Sequence, residues 1–283
     1  MQQRPAYVTD SEVLDAVRRT WLPDADDIEH LPVGFGAHHW VAARGGVRTL
    51  FVTLDTLGDR HSAATLTAAY DAARDLAEGG LEFVLACVAP VTTPVTRGLL
   101  SATPWRDGYS PDRVDPLESA EMLHRLHAAT APNAPLWSPI ISPDLADDLS
   151  ARTRRPWRSG PYGERARAAV SDRLGAIEGW VARYHHLAEA AREVPAVPTH
   201  GEPHHRNQLR TAAGTLLVDW ESLKLAPAER DLRWLGAQGP MSELFDLEWR
   251  LDEIAQFATW FEQPHAGGAD DETAFGGLIE ELG

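Results

Sequence analysis

Short apolar stretches separated by Gly-containing turns dominate the first hundred residues. Five of these stretches have the length and the β-branched or aromatic content of strands: residues 27–34, 38–45, 48–57, 81–90 and 98–105. Between the third and fourth stretches, residues 61–79 are Ala-rich and end in a Gly pair, which predicts a helix. An amphipathic helix, capped near Thr9 or Ser11, is expected before the first strand. The pattern therefore predicts an α+β lobe in which a five-stranded antiparallel sheet carries an inserted helix.

Helical periodicity replaces the strand pattern in the rest of the chain. Helices are expected over residues 117–130, 143–154 and 163–194, and a linker with a last helix over 267–283. The only strand signal here is a hairpin within residues 207–220. We therefore expect two lobes, an N-terminal nucleotide-binding lobe over residues 1–107 and a mostly helical lobe over residues 108–283.

Composition and charge narrow the classes of partner. The net charge is −16, which argues against nucleic acid because phosphate backbones are bound by clustered Lys and Arg. No stretch has 18 consecutive apolar residues and the N-terminus lacks a signal-peptide core, so neither a membrane span nor secretion is expected. The single cysteine, Cys87, lies in an apolar run and is expected to be a buried thiol without a role. A cytoplasmic monomer or homodimer acting on a cationic or neutral small molecule fits these features.

Acidic and amide side chains concentrate in the stretch "THGEPHHRNQLRTAAGTLLVDWES", residues 199–222. Glu202 and Asn207 have the spacing of a kinase catalytic loop, in which an acidic base precedes a metal-binding Asn. Asp219 follows the apolar run "TLLV", and if the strand continues, Asp219 and Glu221 share one face. Carboxylate and amide oxygens are the ligands that Mg²⁺ prefers. The stretch therefore predicts phosphoryl transfer.

Three motifs, "HGEPHHRN", "LLVDWE" and "LAPAERDLRWL", resemble the aminoglycoside phosphotransferase and choline kinase superfamily. The resemblance implies a protein-kinase-like fold and transfer of a phosphoryl group to a hydroxyl. It implies that Glu202 orients or deprotonates the acceptor, that Asn207 and Asp219 bind metal, and that Glu221 is a second acidic ligand. Two further residues correspond to positions that buttress the loop: His200 and Asp231.

Two residues depart from the pattern of this superfamily. Glu202 stands where the family has Asp, and the extra methylene moves the carboxylate by about 1.5 Å, a displacement that can cost about 100-fold in rate. The family also uses a strand Lys in the first lobe to hold the nucleotide phosphates. Thr53 takes that place, and the only Lys in the chain is Lys224. Nucleotide affinity is therefore expected to be weak and strongly metal-dependent.

Substitutes for the missing Lys are sought in the turn between the first two expected strands. Gly34 and Gly36 would let the backbone approach a phosphate, and His38 or His39 could donate a hydrogen bond to it. Arg48, at the start of the third expected strand, is a further candidate for nucleotide contact. An ordinary hairpin turn explains the two glycines at least as well. For Arg48, an exposed Arg without a role in binding is the favoured explanation.

The segment "ATPWRDG", which starts at Ala102, lies where the hinge between the lobes is expected. The backbone near Thr103 and Trp105 would there meet a purine base. ATP or GTP and Mg²⁺ are the cofactors that this assignment implies.

Two other functions are compatible with parts of the sequence: a zinc hydrolase and a kinase fold without catalysis. A zinc hydrolase would use His200, His204 and His205 with Glu202, but a Gly and a Pro within this segment oppose the regular helix that the spacing needs. A kinase fold that binds a nucleotide or metabolite without transfer is favoured by the missing Lys and opposed by the complete acidic set. The favoured hypothesis is a small-molecule phosphotransferase acting on an antibiotic, as in antibiotic resistance, or on a metabolite.

Overall fold

A computed structural model describes residues 1–58 and 61–283. The chain forms two compact units, one of residues 1–137 with 196–236 and one of residues 138–195 with 237–283. These units differ from the division after residue 107, which remains a prediction about lobes and their roles. Within the described residues the helices are α1 (Asp10–Thr20), α2 (Ala63–Glu78), α3 (Pro116–Ala128), α4 (Leu145–Thr153), α5 (Gly163–Ala191), α6 (Glu229–Leu232), α7 (Pro240–Glu262) and α8 (Ala269–Leu282).

The first unit contains all the strands found in the described residues. They are β1 (Asp27–Leu31), β2 (His38–Arg44), β3 (Val47–Asp55), β4 (Thr93–Val95), β5 (Gly98–Pro104), β6 (Val197–Thr199), β7 (Gln208–Thr211), β8 (Gly214–Leu217) and β9 (Lys224–Ala226). The first five form one antiparallel sheet in the order β1-β2-β3-β5-β4, and α2 follows β3. The expected five-stranded sheet with an inserted helix is confirmed.

The two faces of this sheet differ in polarity because side chains alternate along each strand. One face packs against α1, which begins after the capping residue Thr9. Its buried side chains include Trp40, Val52, Leu54 and Leu100, together with Val13 and Val17 of α1. On the other face, His39 of β2 lies opposite Thr53 of β3, and both are only half-buried. Polar groups are therefore accessible on this second face.

The expected fourth strand over residues 81–90 is wrong. The edge strand is β4, and the apolar segment before it crosses the core with single hydrogen bonds to the β7–β8 hairpin. The Leu217 amide donates to the Phe83 carbonyl at 2.7 Å, and the Leu85 amide donates to the Leu217 carbonyl at 3.0 Å. Burial of Phe83, Val84 and Cys87 accounts for the apolar pattern, which is the same for a buried strand and for buried irregular chain.

The remaining strands of the first unit form two small antiparallel pairs. The β7–β8 hairpin agrees with the sequence pattern. The β6–β9 pair was not expected, because three residues in each strand are too few to show alternation. This pair places the start of the loop that follows β6 beside the chain that leads into α6.

The second unit is helical and contains α4, α5, α7 and α8. Its interior is mostly apolar and includes a buried hydrogen bond, which the Tyr184 hydroxyl donates to a Glu248 carboxylate oxygen at 2.6 Å. The mostly helical character expected for the C-terminal half is confirmed. No described helix has both the length and the apolar character needed to cross a membrane.

Candidate active site

The loop over residues 200–207, in which the sequence predicts catalytic residues, begins directly after β6, at His200 and Gly201. Gly201 has φ +96°, and a side chain there would overlap the guanidinium of the buried Arg230. Arg230 donates from Nη1 to the Thr199 hydroxyl at 3.0 Å, and the Trp234 indole donates to the Gly201 carbonyl at 2.9 Å. Only glycine allows this backbone conformation together with such a close approach.

The buried carboxylate of Asp231, in α6, accepts hydrogen bonds from the start of the loop. It accepts hydrogen bonds from the amides of His200 at 3.0 Å and Gly201 at 2.6 Å, and from His127 Nε2 at 3.0 Å. Burial by itself would raise the pKa of Asp231, but the His127 hydrogen bond and charge and the Gly201 amide together hold this pKa below its ordinary value. Asp231 thus occupies the buttressing position that the sequence predicts.

Both ring nitrogens of His200 form hydrogen bonds with backbone groups. Nδ1 accepts from the Glu202 amide at 3.2 Å, so Nε2 carries the proton and donates to the Val218 carbonyl at 2.9 Å. Burial lowers the pKa of His200, in keeping with a neutral ring. Neither nitrogen is left for zinc, and no group of three or more His, Cys, Asp or Glu within the described ranges is arranged to hold a metal. The zinc hydrolase hypothesis is therefore not supported.

Glu202 and Asn207 belong to one hydrogen-bonded network. The Asn207 side-chain amide donates to the Glu202 carbonyl at 3.0 Å, and the Asn207 carbonyl accepts from the Val218 amide at 3.0 Å. The Ser222 hydroxyl lies 3.5 Å from a Glu202 carboxylate oxygen. Because the Asn207 nitrogen is used in the loop, its side-chain oxygen is the atom that a cation would take. The network fixes Asn207 between Glu202 and the residue before Asp219.

The expectation that Asp219 and Glu221 share a strand face is wrong. Strand β8 ends at Leu217, and Asp219 adopts the left-handed conformation, with φ 67° and ψ 66°, before a 3₁₀ turn over Trp220–Ser222. Among the described non-glycine residues, Asp219 alone has positive φ. Such backbone strain of order 1–3 kcal/mol is concentrated at functional sites. A turn, and not strand alternation, sets the direction of these carboxylates.

Carboxylates crowd around this turn. Burial, followed by the nearby Glu221 and Glu202 carboxylates, raises the pKa of Asp219 well above its ordinary value, yet the residue keeps an exposed surface. His61 Nε2 lies 3.8 Å from the Glu221 carboxylate. Oxygen donors that repel one another and remain accessible are the donor set that a hard divalent cation neutralises. Since Mg²⁺ also takes phosphate and water ligands, a complete protein cage is not required.

Asp55, at the end of β3, is a buried member of this group that the sequence interpretation missed. It accepts from the Tyr70 hydroxyl of α2 at 3.0 Å and from the Ser101 hydroxyl of β5 at 3.3 Å, both at Oδ2. Burial, and then the charge of Asp219, raises the pKa of Asp55 to about 7, while the hydrogen bonds from the Tyr70 and Ser101 hydroxyls oppose this shift. An acidic residue that ends the apolar run "LFVTL" was the available signal. Asp55 thus connects the sheet with α2 by hydrogen bonds, and it lies close enough to Asp219 for the two charges to interact.

The β1–β2 turn contains two of the residues selected for nucleotide binding, Gly34 and Gly36, and places Gly34 beside a histidine. Gly34 and Gly36 have φ +70° and +94°, and a Cβ on Gly34 would lie 3.0 Å from His39 Nε2. His39 Nδ1 lies 3.2 Å from the Thr53 hydroxyl. His38, the histidine selected from the sequence, packs on the opposite face with its ring 6.4 Å from that of Trp40. The polar face of the sheet therefore carries His39, and His38 lies on the α1 side.

The other residues selected for nucleotide binding lie together farther along the same face. The Phe51 ring stacks on His39 at 5.0 Å and lies 6.5 Å from Trp105. Thr103 pairs with Phe51 across the sheet, and the Arg48 guanidinium lies 5.0 Å from the centre of the Trp105 ring. The structure thus brings Arg48, Thr103 and Trp105 together.

Comparison with known proteins gives a match to one family over most of the chain. Residues 27–267 match the family described as "Phosphotransferase enzyme family". Protein StrN of Streptomyces griseus is 34% identical over 142 residues, a match that covers 44% of this chain and 42% of StrN. The chain thus matches less than half the length of that relative.

Solved structures with a similar fold include two kinases of small molecules. A spectinomycin phosphotransferase in complex with ADP and spectinomycin has a TM-score of 0.71 at 13% identity and covers 96% of this chain and 94% of its own. The choline kinase of Streptococcus pneumoniae has a TM-score of 0.51 at 12% identity and covers 97% of this chain and 99% of its own. At these identities the similarity is one of fold, and the expected kinase-like fold is confirmed.

Proposed function

The chain belongs to the phosphotransferase enzyme family, and from this membership we propose that it transfers the γ-phosphoryl group of ATP to a hydroxyl of a small acceptor. The observation that carries the proposal is the network in which Asn207 donates to the Glu202 carbonyl and accepts from the amide before Asp219. This network connects Glu202, the proposed base, with Asn207 and with the residue before Asp219, the two proposed metal ligands. Positioning and charge neutralisation are the main requirements of phosphoryl transfer.

Glu202 would act on the acceptor. Its backbone is fixed by the His200 ring and the Asn207 amide, so the carboxylate is presented from a loop with little freedom. The acceptor oxygen forms a bond to the γ-phosphorus while the bond from that phosphorus to the bridging oxygen of ADP breaks, and the hydroxyl proton passes to Glu202. General base assistance of this kind contributes about 100- to 10,000-fold in rate.

Asn207, Asp219 and Glu221 would hold Mg²⁺. Bound there, the ion would neutralise charge on the transferring phosphates. The raised pKa of Asp219, caused by burial and by the nearby Glu221 and Glu202, fits this role, because a cation would relieve the repulsion among these carboxylates.

The acceptor would be an antibiotic-like molecule or a metabolite. The spectinomycin phosphotransferase and the choline kinase are named for acceptors that are themselves hydroxyl compounds carrying amine or ammonium groups. A net charge of −16 favours such cationic molecules by long-range attraction. Spectinomycin, other aminocyclitol antibiotics and choline are therefore the first acceptors to test.

Thermal shift followed by transfer assays tests the proposal. ATP and GTP, each with Mg²⁺ or with EDTA, are added to the protein, and the nucleotide that raises the melting temperature is then used with the acceptor set. We expect stabilisation by ATP that depends on Mg²⁺ and a phosphorylated acceptor detected by mass spectrometry. Tight ATP binding in EDTA would contradict the metal assignment, and absence of both transfer and ATP hydrolysis would contradict the enzyme.

A non-catalytic nucleotide-binding protein is the second candidate. The observation that favours it is Thr53, which stands at the expected Lys position and lies in hydrogen-bond contact with His39. This candidate predicts nucleotide binding without turnover, and a Glu202→Gln change would then leave every measured property unchanged.

A further inference from the structure

The polar pair His39 and Thr53 lies on the half-buried face of the sheet, at the position where the family uses a Lys. His39 of β2 is the cross-strand partner of Thr53 of β3, and its Nδ1 lies 3.2 Å from the Thr53 hydroxyl. The other ring nitrogen, Nε2, borders Gly34 in the β1–β2 turn. The ring therefore connects the expected Lys position with the glycine-containing turn.

The order of residues along β3 gives this pair a place in a bound nucleotide. Phe51 lies at one end, opposite Thr103 and near Trp105, where a purine base is expected. Asp55 lies at the other end, where the carboxylates of the Asp219 turn begin. Thr53 lies between them on the same face of the strand. If the base of a nucleotide binds near Trp105 and its metal-bound phosphates lie near Asp55, the phosphate chain lies beside His39 and Thr53.

We propose that His39, oriented by Thr53, donates a hydrogen bond from Nε2 to a phosphate oxygen of the bound nucleotide, in place of the missing Lys. In this arrangement the Thr53 hydroxyl donates to Nδ1, so the proton of the neutral ring is on Nε2. The inference rests on the proposed function, because it assigns a role in nucleotide binding.

The ring acts as a neutral donor and not as a cation. Burial lowers the pKa of His39 to about 3, with smaller contributions from the charges of the N-terminus, His38 and His30. A neutral donor neutralises no phosphate charge, so a divalent ion must supply that neutralisation. The pair thus explains why nucleotide affinity should depend strongly on Mg²⁺.

A packing role is the alternative for this histidine, since its ring stacks on Phe51. Packing alone would affect every ligand of this face equally, whereas a phosphate contact affects only ligands that carry phosphate. The ratio of ATP affinity to adenosine affinity, measured by calorimetry in excess Mg²⁺, separates the two roles.

The first variant is His39→Ala, with His30→Ala as its matched control. His30 is a buried histidine of β1 whose ring packs on Trp40, on the α1 side of the same sheet. We expect His39→Ala to lower the ratio of ATP to adenosine affinity about 10-fold or more, the range that a hydrogen bond to a charged group supports. His30→Ala should leave this ratio unchanged even if it lowers stability.

Two variants at Thr53 test the orientation of the ring and the replacement of the Lys. Thr53→Val keeps the shape and removes the hydroxyl, so the ratio should fall in the same direction and by less than in His39→Ala. In the His39→Ala protein, Thr53→Lys should restore the ratio to the parental value or above it. Because adenosine binding reports a folded site, loss of structure cannot imitate these results.

The outcomes are distinguishable. An unchanged ratio in His39→Ala, or equal losses for ATP and adenosine, would overturn the inference and leave the proposed function intact. A parent protein that binds neither ligand would overturn the proposed function, and this inference with it. A lowered ratio that Thr53→Lys restores would support both.

Discussion

The loop over residues 200–207 and the polar face of the sheet are held in place to different degrees. Buried partners hold the loop: Asp231 accepts from two of its amides, His200 forms hydrogen bonds through both ring nitrogens, and Arg230 donates to Thr199 just before it. On the sheet face, His39 contacts Thr53, and Asp55 accepts hydrogen bonds from Tyr70 and Ser101, while the only Lys in the sequence, Lys224, lies outside this sheet. Several hydrogen bonds thus hold the backbone of the loop, whereas the position where the family has a Lys is held by the contact between Thr53 and His39.

This difference bears on the proposed function, because the two regions would have different roles in it. Groups that act on the acceptor and on the metal need fixed positions, because a displacement of about 1 Å can cost about 100-fold in rate. Binding of phosphate charge can be taken over by another group, such as a metal ion with a neutral donor. Changes in the loop should therefore affect turnover, and changes on the sheet should affect nucleotide affinity.

The largest effect on binding is expected at Asp219. Asp219→Asn keeps the volume and tolerates the left-handed backbone, but it removes the charge of a residue that we propose as a metal ligand. We expect the melting shift caused by Mg²⁺ and ATP to disappear. Stability without nucleotide should be kept or raised, because the change relieves repulsion from Glu221 and Glu202. A shift equal to that of the parent would contradict the metal assignment, and the exposed Asp112→Asn should behave like the parent.

The next largest effect is expected at Gly201, where a comparison of two Gly→Ala variants separates backbone strain from steric overlap with Arg230. Gly201→Ala adds a Cβ that overlaps Arg230, whereas Gly236→Ala, at a similar φ of +86°, meets nothing within 4 Å. Both should lose about 1 kcal/mol or more in the free energy of unfolding from the left-handed backbone. Only Gly201→Ala should also lower turnover, by about 10-fold or more, because the loop must move. Equal turnover in the two variants would show that the loop is less rigid than its contacts indicate.

The smallest expected effect concerns the pH dependence of stability. The pKa of His39 is lowered to about 3, so the unfolded chain binds its proton first as the pH falls below about 6.5. His39 therefore contributes stability above about pH 6.5, and this contribution is lost as the pH falls toward 3. Asp55, whose pKa is raised to about 7, acts in the opposite direction in parent and variant alike.

Urea unfolding at pH 7.5 and pH 5 isolates the contribution of His39. The parent should lose more stability between these two conditions than His39→Gln, and His124→Gln, at an exposed position on α3, should follow the parent. Identical pH dependence in the parent and in His39→Gln would show that this ring is not held neutral.

Sequence patterns identified long elements and local motifs well. Four of the five expected sheet strands, the hairpin and the long helix α5 agree with the structure, since each has enough residues for periodicity to show. The segment 81–90 was mistaken for a strand because burial gives the same apolar pattern to irregular chain. The β6–β9 pair was missed because it is too short.

Side-chain direction was harder to infer than position in the chain. His38 and His39 are adjacent in the sequence, and only the register of β2 with β3 decides which one faces Thr53. Asp219 was placed on a strand because a left-handed aspartate leaves no local signal. Asp55 was missed because its neighbours Tyr70 and Ser101 come from distant parts of the chain.

The proposed role of Glu202 as a base is tested by the turnover and ATP affinity of Glu202→Gln, measured with an acceptor that the parent phosphorylates. The substitution keeps the volume and removes the proton acceptor, while Asn207 and Asp219, the proposed metal ligands, are unchanged. We expect turnover to fall by about 100- to 10,000-fold while ATP affinity in Mg²⁺ stays close to that of the parent. Full turnover in Glu202→Gln would contradict the role of Glu202 as a base.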